Sequence, residues 1–340
     1  MNYWWLIPAL FGLSFFLTAA LRRYALSRKM LDVPNGRSSH SIPTPRGGGV
    51  AIVLSYLVAL VALFAGGLIA APLFYALIGA GALTAIVGFL DDHGHIAARW
   101  RLLAHLTAAV WAVVWLGGLP TISVFGLSVD VSWFGYMFAT IYLVWMLNLY
   151  NFMDGIDGIA GVEAITVCLG GCVLYWINGT PGEGWPLVTL ACCAAGFLLW
   201  NFPPARIFMG DAGSGFLGIA LGVLSIQAAW VSPTMFWALL ILLGVFIVDA
   251  TFTLLRRLIR GDKVYEAHRS HAYQFASRQF GKHLPVTLAV GIFNVFWLLP
   301  AALCLISYDL DGATVLAVAY APLVFLAVKY RAGELERSTA

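Results

Sequence analysis

The feature that most constrains this chain is a recurring run of apolar residues long enough to cross a bilayer. Windows of about 17 to 22 residues, which span a roughly 30 Å hydrocarbon core as helices, repeat along the whole length. A hydrophobic fraction of 61% against 10% charged residues places most of the chain in lipid. We therefore predict an all-α integral membrane protein with a single polytopic domain over residues 1–340.

Eleven transmembrane helices can be read from these windows. The first window is followed by Arg22 and Arg23, no basic residue precedes it and no small-residue cleavage site stands out. It is therefore interpreted as a retained anchor with its N-terminus outside. The predicted spans are approximately residues 4–21, 47–65, 72–90, 102–118, 134–152, 159–176, 186–202, 215–231, 235–255, 285–306 and 314–328.

Basic residues set the predicted orientation. With the N-terminus outside, all 19 Lys and Arg fall in alternate loops or in the C-terminal tail, on the side that the positive-inside rule assigns to the cytoplasm. This predicts a periplasmic N-terminus and a cytoplasmic C-terminus. The net charge of +3 then describes loops beside an anionic leaflet and indicates no nucleic acid partner. The predicted cytoplasmic loops are about 22–46, 91–101, 153–158, 203–214 and 256–284.

Five carboxylates fall at the predicted inner ends of four spans, next to apolar sequence. At that depth an unpaired carboxylate is costly and marks a functional site by default. Their convergence on one membrane face would be repulsive without a cation, and oxygen ligands in an open site suit Mg²⁺, with Mn²⁺ as a substitute. Structural pairing is the competing interpretation. The five residues are Asp91, Asp92, Asp154, Asp157 and Asp211.

The stretch "NLYNFMDGIDGIAG" (148–161) repeats a polar residue every third position. Asn148, Asn151, Asp154 and Asp157 share roughly one face if the stretch is helical. If its glycines break the helix, the carboxylates lie on a tight turn whose backbone can approach a ligand closely. Both alternatives bring the polar groups together.

Two glycine-rich stretches carry further candidates for phosphate binding. "RIFMGDAGSGFLG" (206–218) is similar to a phosphate loop that opens a helix, with Ser214 near the start of that helix. It lacks the Lys of a P-loop, which disfavours a nucleotide triphosphatase, and a plain glycine-rich bend is an equal alternative. "DVPNGRSSHSIPTPRGGG" (32–49) offers Arg37 and Arg46 as phosphate ligands.

The stretch "HRSHAYQ" (268–274) lies in the longest predicted inner loop. If it is helical, His268 and His271 share one face at a spacing of three, with Arg269 beside them. These histidines could bind pyrophosphate, hydrogen-bond a sugar or shuttle a proton. A solvated basic surface helix is the competing interpretation.

Together these motifs resemble those of the polyprenyl-phosphate N-acetylhexosamine-1-phosphate transferases. The matching pieces are "PTPRGGG" after the first span, "FLDD" after the third, "NxxNxxDGIDGIAG" between the fifth and sixth, "MGDAGSGFLG" after the seventh and a histidine loop after the ninth. The resemblance implies an eleven-helix, Mg²⁺-dependent enzyme of the bacterial inner membrane with its active site facing the cytoplasm. It implies transfer of a sugar 1-phosphate from a UDP-N-acetylhexosamine to undecaprenyl phosphate, with release of UMP.

The resemblance also assigns roles to the acids and histidines. It implies Asp211 as the direct Mg²⁺ ligand and places Asp154 and Asp157 at the nucleotide–metal unit. Asp91 and Asp92 would serve the lipid phosphate, one of them as its base. His268 and His271 correspond to the loop histidines of the family. Membrane lipid is a further partner, and a homodimer is left open.

Two departures from the family pattern bear on specificity. The basic residue that often follows the paired Asp is missing, so Arg99 or Arg101 must fill that role. "HRSHAYQ" replaces a run of three histidines, which disfavours the peptidoglycan branch and is closer to O-antigen-initiating members that accept N-acetylfucosamine or N-acetylquinovosamine. N-acetylglucosamine stays open.

The main alternative from another class is an ion-coupled secondary transporter, since acids in membrane spans often mark ion routes. That class predicts carboxylates near the middle of the membrane and an internal repeat, and neither is evident in the sequence. Asp249 lies about two turns inside the inner end of the ninth span and could instead support Arg256 or the metal cluster.

Overall fold

The fold is seen in a computed structural model that describes residues 3–34, 42–94, 96–262 and 268–334. Within these ranges the chain consists almost entirely of α-helices joined by short turns. The helices are α1 (Leu6–Ser27), α2 (Val50–Ala65), α3 (Ala71–His93), α4 (Ala98–Leu116), α5 (Phe134–Met153), α6 (Ile159–Ile177), α7 (Trp185–Asn201), α8 (Asp211–Val231), α9 (Pro233–Leu242), α10 (Gly244–Arg260), α11 (Ala272–Phe280), α12 (Leu284–Phe293), α13 (Leu299–Ser307) and α14 (Gly312–Lys329). A 3-10 turn at Pro181–Gly184 precedes α7, and a π-helical turn at Asn294–Leu298 joins α12 to α13.

Each predicted span coincides with one helix or with two helices joined end to end. α9 and α10 meet at a bend of 72°, and α12 continues into α13 through the π turn. By length and hydropathy, seven helices of the described residues can cross a membrane, or eight if the bent pair counts as one span. The multi-pass, mainly helical membrane fold is confirmed. The count of eleven spans and the orientation of the two termini stay predictions.

Helix α8 lies at the centre of the bundle, where it packs against α2, α3, α5 and α9. Of its apolar window, 83% is buried. Small residues permit this packing, since a Cβ added to Gly218 would lie 2.6 Å from the carbonyl oxygen of Met146 in α5. A helix enclosed on all sides has little freedom to shift, so the first residue of α8, Asp211, has a fixed position.

Two short antiparallel ladders add strands to the predicted all-α fold. β1 (Leu31–Asp32) pairs with β2 (Thr44–Pro45), and β3 (Ile122–Val124) pairs with β4 (Leu127–Val129). The turn of the second ladder, Phe125 and Gly126, has positive φ at both positions, as a two-residue hairpin requires. Strands of two or three residues leave no periodic signal in a sequence, which is why the prediction omitted them.

The connections at the predicted inner face are shorter than expected because the helices extend into them. α3 continues through Asp91 and Asp92, and α10 continues to Arg260. α11 lies inside the predicted loop 256–284. The acidic motifs therefore lie at helix ends and tight turns, where the backbone holds them in place.

Candidate active site

Two glycine-rich segments lie side by side at one end of the bundle. Segment 45–49 runs along segment 208–213, and three backbone hydrogen bonds of 2.8–2.9 Å join them. A Cβ added to Gly49 would lie 2.5 Å from Cα of Gly213, so only glycine allows this approach. The contact brings Arg46 to the beginning of α8.

Arg46 joins two of the predicted carboxylates. Its Nε lies 2.9 Å from Asp92 Oδ1, and its Nη2 lies 2.5 Å from Asp211 Oδ1. Asp92 also accepts hydrogen bonds from the backbone N–H groups of Asp211 at 3.0 Å and Ala212 at 3.3 Å, so it interacts with the positive end of the α8 dipole. Burial lowers the pKa of Arg46, but the charges of Asp211 and Asp92 outweigh burial and raise that pKa overall. Arg46 is therefore a permanent cation in the site.

Arg101 balances the other side of the cluster. Its Nη1 lies 2.5 Å from Asp91 Oδ2 and 3.8 Å from Asp211 Oδ2. The guanidinium of Arg99, the alternative that the sequence left open, lies over the ring of Trp100 at 5.6 Å from its centroid. Arg101 is thus the arginine that follows the paired Asp motif into the site.

The third acidic motif contributes a helix end and a turn. α5 ends at Met153, so Asn148 and Asn151 lie on the helix while Asp154 begins the turn. Asn151 Nδ2 donates to Ser214 Oγ at 3.1 Å, which links α5 to the first turn of α8. Burial, with repulsion from neighbouring carboxylates, raises the pKa of Asp154 well above the ordinary value against the opposing charge of Arg46. The helix and the tight turn, which the sequence left as alternatives for this stretch, are therefore both present in part.

Asp157 faces protein partners with both carboxylate oxygens. Oδ2 accepts from the backbone N–H of Ala205 at 3.0 Å, and Oδ1 lies 3.1 Å from His283 Nδ1. Its carbonyl accepts from the hydroxyl of Thr287 at 2.7 Å. These contacts tie the turn to the α7–α8 connection and to α12. Its predicted role at the nucleotide or metal stays a prediction, and the structure adds a role in holding the turn.

A small polar cavity opens next to the carboxylates. Its polar lining comes from α3, α4, α5 and α8. His105 is a member that sequence reasoning missed, and its Nδ1 is buried with no hydrogen-bond partner. His105 lies on an apolar helix one turn after Arg101, so only this spacing could have signalled it. The polar lining residues are Thr84, Asp91, Arg101, His105, Asn148, Asn151 and Asp211.

The histidine loop lies at the same end of the molecule. The rings of His268 and His271 stack with centroids 4.9 Å apart, and His271 is buried at 3% exposure. Burial, together with the charges of His271 and Arg257, lowers the pKa of His268 to about 3, so this ring is neutral at physiological pH. The prediction that His268 and His271 share one helix face is wrong, because α11 begins only at Ala272 and His271 caps it.

Asp249 holds the histidine loop in place. Its carboxylate accepts from the backbone N–H groups of Ala272 and Tyr273 at 3.0 Å each, and Oδ1 lies 3.2 Å from His271 Nδ1. One of the two roles predicted for Asp249, support of Arg256, is wrong, since Arg256 pairs with Glu334 at 2.9 Å.

Tyr273 connects this loop to the turn that Asp154 begins. Its hydroxyl donates to the carbonyl of Phe152 at 3.0 Å, and a Cβ on Gly155 would collide with that hydroxyl. Arg269 contributes its carbonyl to Arg278, and a phosphate role for its side chain stays a prediction. The other predicted phosphate ligand, Arg37, lies outside the described residues.

The donor chemistry of the cluster fits a divalent cation. Among the described residues, Asp91, Asp92 and Asp211 pair with two guanidinium groups and Asp154 lies beside them, so carboxyl groups outnumber cations. In the described part of the chain, no three His, Cys, Asp or Glu side chains converge closely enough to hold a metal ion by themselves. This suits Mg²⁺, which is typically held by one or two carboxylates and completed by water and substrate phosphate.

Comparisons with known proteins agree with this geometry. The model of glycosyl transferase family 4 matches residues 73–229, a region that contains all five acids. A probable undecaprenyl-phosphate N-acetylglucosaminyl 1-phosphate transferase of Bacillus subtilis (strain 168) is 30% identical over 269 residues, which cover 76% of this chain and 72% of the relative. The chain belongs to the polyprenyl-phosphate N-acetylhexosamine-1-phosphate transferase family. It is therefore an enzyme of the phospho-sugar transferase type.

Other relatives of this transferase cover most of its length. An undecaprenyl-phosphate alpha-N-acetylglucosaminyl 1-phosphate transferase of Thermotoga maritima is 30% identical over 295 residues, with 84% of this chain and 86% of the relative covered. A phospho-N-acetylmuramoyl-pentapeptide-transferase of Chlamydia muridarum is 29% identical, with 74% of this chain and 83% of the relative covered. The transferase is thus similar to members that differ in their sugar, and membership alone does not select the donor.

Proposed function

We propose that this enzyme transfers an N-acetylhexosamine 1-phosphate from a UDP-sugar to undecaprenyl phosphate, giving undecaprenyl-diphosphate-sugar and UMP. The observation that carries the proposal is the cluster at the start of α8, where Asp91, Asp92 and Asp211 meet Arg46 and Arg101. The named activities of the relatives supply the reaction class.

The chemistry requires that several negative charges meet. An oxygen of the lipid phosphate attacks the β-phosphorus of the donor, the bond from that phosphorus to the bridging oxygen breaks, and UMP leaves with that oxygen. Arg46 and Arg101 offset the charge that accumulates on the transferred phosphoryl group. Asp91 or Asp92 accepts a proton from the lipid phosphate when it arrives protonated.

Asp211 and Asp154 are the residues that would hold Mg²⁺, with Asp157 as the third predicted ligand. The ion supplies Lewis-acid stabilisation of the phosphate oxygens when it is bound. The raised pKa of Asp154 is consistent with this assignment, since a buried carboxyl surrounded by like charges ionises more readily beside a cation.

The histidine loop is positioned to bind the donor. His271 Nε2 is buried with no hydrogen-bond partner, although Nδ1 faces Asp249. A ring held on one side and free on the other can hydrogen-bond a phosphate or sugar oxygen. His268, stacked on His271, supports the orientation of that ring, and Arg269 with Arg37 would add phosphate contacts.

The membrane setting follows from the same charge distribution. We place the enzyme in the bacterial inner membrane, with this cluster at the cytoplasmic face where the lysines and arginines are concentrated. A lipid acceptor can then keep its tail in the bilayer while its phosphate meets a soluble nucleotide sugar. The product would begin an O-antigen or another cell-envelope polysaccharide.

The proposed donor is one of three UDP-sugars. N-acetylglucosamine is favoured by the named activities of the Bacillus and Thermotoga relatives. The two deoxy sugars, N-acetylfucosamine and N-acetylquinovosamine, are favoured by the "HRSHAYQ" form of the histidine loop.

The test is an assay of UMP release by purified protein. Undecaprenyl phosphate, Mg²⁺ and each of these UDP-sugars would be supplied in turn, with UDP-N-acetylmuramoyl-pentapeptide as the peptidoglycan control. We expect metal-dependent UMP with one N-acetylhexosamine and none without the lipid. If only the pentapeptide donor gives UMP, the enzyme belongs to the peptidoglycan branch. If no donor gives UMP, the proposal is refuted.

A further inference from the structure

Glu163 is an acid inside the helical bundle that lies outside the active-site cluster. It lies on α6, its exposure is 0%, and none of the ion pairs among the described residues includes it. The titratable groups that face it are the phenols of Tyr150 and Tyr320. An acid in a membrane span without a cationic partner is costly, so its surroundings must compensate.

The partner of Glu163 is an amide on the opposite helix. Asn294 Nδ2 donates to Glu163 Oε2 at 2.7 Å and to Thr166 Oγ1 at 2.8 Å. Asn294 is the first residue of the π turn between α12 and α13, so this irregular turn aims an amide at the acid. The contact joins α6 to the tenth predicted span.

Two oxygens of this pair have no hydrogen-bond donor. Glu163 Oε1 and Asn294 Oδ1 are both buried, and both lack a partner. If Glu163 is ionised, two buried acceptors stay unsatisfied. A proton on Oε1 turns that oxygen into a donor, and the amide oxygen of Asn294 is an acceptor on the same pair of side chains. A neutral acid therefore satisfies the site better than a carboxylate.

The same carboxyl lies at the break between α9 and α10. The backbone N–H of Phe246, the third residue of α10, faces it. On the other side of the break, the Tyr320 hydroxyl donates to the carbonyl of Leu240 at 2.6 Å. A broken helix exposes such backbone groups, and inside a membrane they need partners from neighbouring helices. Tyr320 supplies such a partner at the 72° bend, and Glu163 faces the N–H of Phe246 there.

The break determines where α10 carries Asp249. That residue lies at the second turn of α10 and holds His271 and the first two backbone N–H groups of α11. The chain of contacts thus runs from Glu163 through α10 to the histidine loop.

We propose that Glu163 is held as a neutral acid by Asn294 and acts as a positioning residue that fixes the bend between α9 and α10, and with it the histidine loop. The kinetic part of this inference rests on the proposed transferase function, whereas the protonation state does not.

The protonation state can be measured by infrared spectroscopy. Protein carrying carbon-13 in its glutamate carboxyls would be compared at neutral pH with the Glu163→Gln variant. Of the other four glutamates, two are not buried in the bundle and two lie outside the described residues. We expect a band of protonated carboxylic acid in the wild type that is missing from Glu163→Gln. A wild type without that band, or a variant that keeps it, would overturn the inference.

The positioning role can be measured by kinetics on folded variants. Glu163→Gln keeps a neutral group that accepts and donates hydrogen bonds. KM for the UDP-sugar should therefore change by no more than about twofold. Glu163→Leu removes an acceptor of the Asn294 amide and the polar group that faces Phe246 N–H, and should raise that KM by about tenfold. Glu183→Leu, at an exposed site, is the control for hydrophobic substitution.

Equal KM values for folded Glu163→Leu and wild type would refute the positioning role, as would a Gln variant as impaired as the Leu variant. If the wild type transfers no sugar phosphate at all, the proposed function fails, and the infrared result still decides the protonation state.

Discussion

Arg46 and Arg101 show how single residues make the acidic cluster tolerable at the membrane boundary. Each guanidinium bridges two carboxylates, and Asp211 is common to both. In the absence of a divalent cation these arginines are the counterions of the site. When phosphates enter, the same groups can bind them without a large rearrangement, because their positions are already set by the carboxylates.

The first prediction separates the two arginines of α4. Arg101→Ala should lower kcat/KM about 10- to 100-fold, because it removes a charge-assisted hydrogen bond from Asp91. Arg99→Ala is the matched control, since Arg99 lies over Trp100 at the same helix end. Steady-state kinetics of UMP release measures both. Equal losses in the two variants would contradict the assignment of Arg101 to the site.

The second prediction concerns Asp154 and pH. A carboxyl whose pKa is raised in the folded state destabilises that state above the ordinary carboxyl pKa, because ionisation is easier in the unfolded chain. Without metal, Asp154→Asn should therefore raise the unfolding temperature at neutral pH while abolishing activity. The gain should shrink as the pH falls and vanish below about pH 4, where the carboxyl becomes protonated in both states.

Thermal unfolding in detergent across this pH range checks the expectation. Asp130→Asn, in an exposed turn, serves as the control for loss of a negative charge. A lower unfolding temperature for Asp154→Asn at neutral pH would show that the carboxylate stabilises the metal-free protein.

At the scale of the helices, the site depends on the position of α8. Its first residue, Asp211, lies where the N-terminus of an enclosed helix meets α3 and the segment that carries Arg46. Glycines make both contacts possible, since a Cβ on Gly88 would lie 2.5 Å from the backbone nitrogen of Ala212. The "MGDAGSG" and "PRGGG" motifs are therefore packing motifs as well as chemical ones.

The third prediction tests this packing with two helical glycines. Gly213→Ala should destabilise the protein by about 1–3 kcal/mol through overpacking, because its Cβ would lie 2.6 Å from Cα of Gly49. Gly12→Ala on α1 meets nothing within 4 Å and should be neutral or stabilising by up to about 1 kcal/mol. Unfolding and activity of the two variants can be compared side by side. Similar behaviour of both would refute the packing argument.

The helices could be predicted from the sequence, but their irregularities could not. Hydropathy located each of the predicted spans to within a few residues but not α11, because a span must be long and apolar. The bend at Leu243 and the π turn at Asn294 occur within equally apolar sequence, so no periodic signal marks them. Both are stabilised by residues far away in the chain, such as Tyr320 and Glu163.

The candidate site could likewise be predicted from the sequence only in part. The five acids stood out because charge is rare in this chain, and four of them do converge. The contributions of His105, Asp249 and His283 could not be predicted, since each depends on contacts between segments distant in sequence.

At the scale of the whole molecule, one end of the bundle collects groups from most of the chain. The segment before α2, the ends of α3 and α5, the start of α8 and the histidine loop all meet there. All of them except the end of α5 belong to connections that carry lysine or arginine. The topology therefore predicts that the whole site faces the cytoplasm.

The fourth prediction tests that orientation with single cysteines in a background lacking the five native ones. Arg28→Cys and Glu183→Cys are both exposed positions at opposite predicted faces. In intact spheroplasts, a membrane-impermeant thiol reagent should label position 183 and reach position 28 only after permeabilisation. The reverse pattern would invert the topology, and labelling of both positions would mean that they share a face.

The most direct measurement of the central claim follows the β-phosphorus of the donor. A UDP-N-acetylhexosamine with radioactive phosphorus at the β position would be incubated with the purified enzyme, undecaprenyl phosphate and Mg²⁺. Transfer of a sugar 1-phosphate predicts label in the lipid product and unlabelled UMP in water, with both lost in Asp211→Asn. Label released as UDP, or unchanged transfer by Asp211→Asn, would contradict the account.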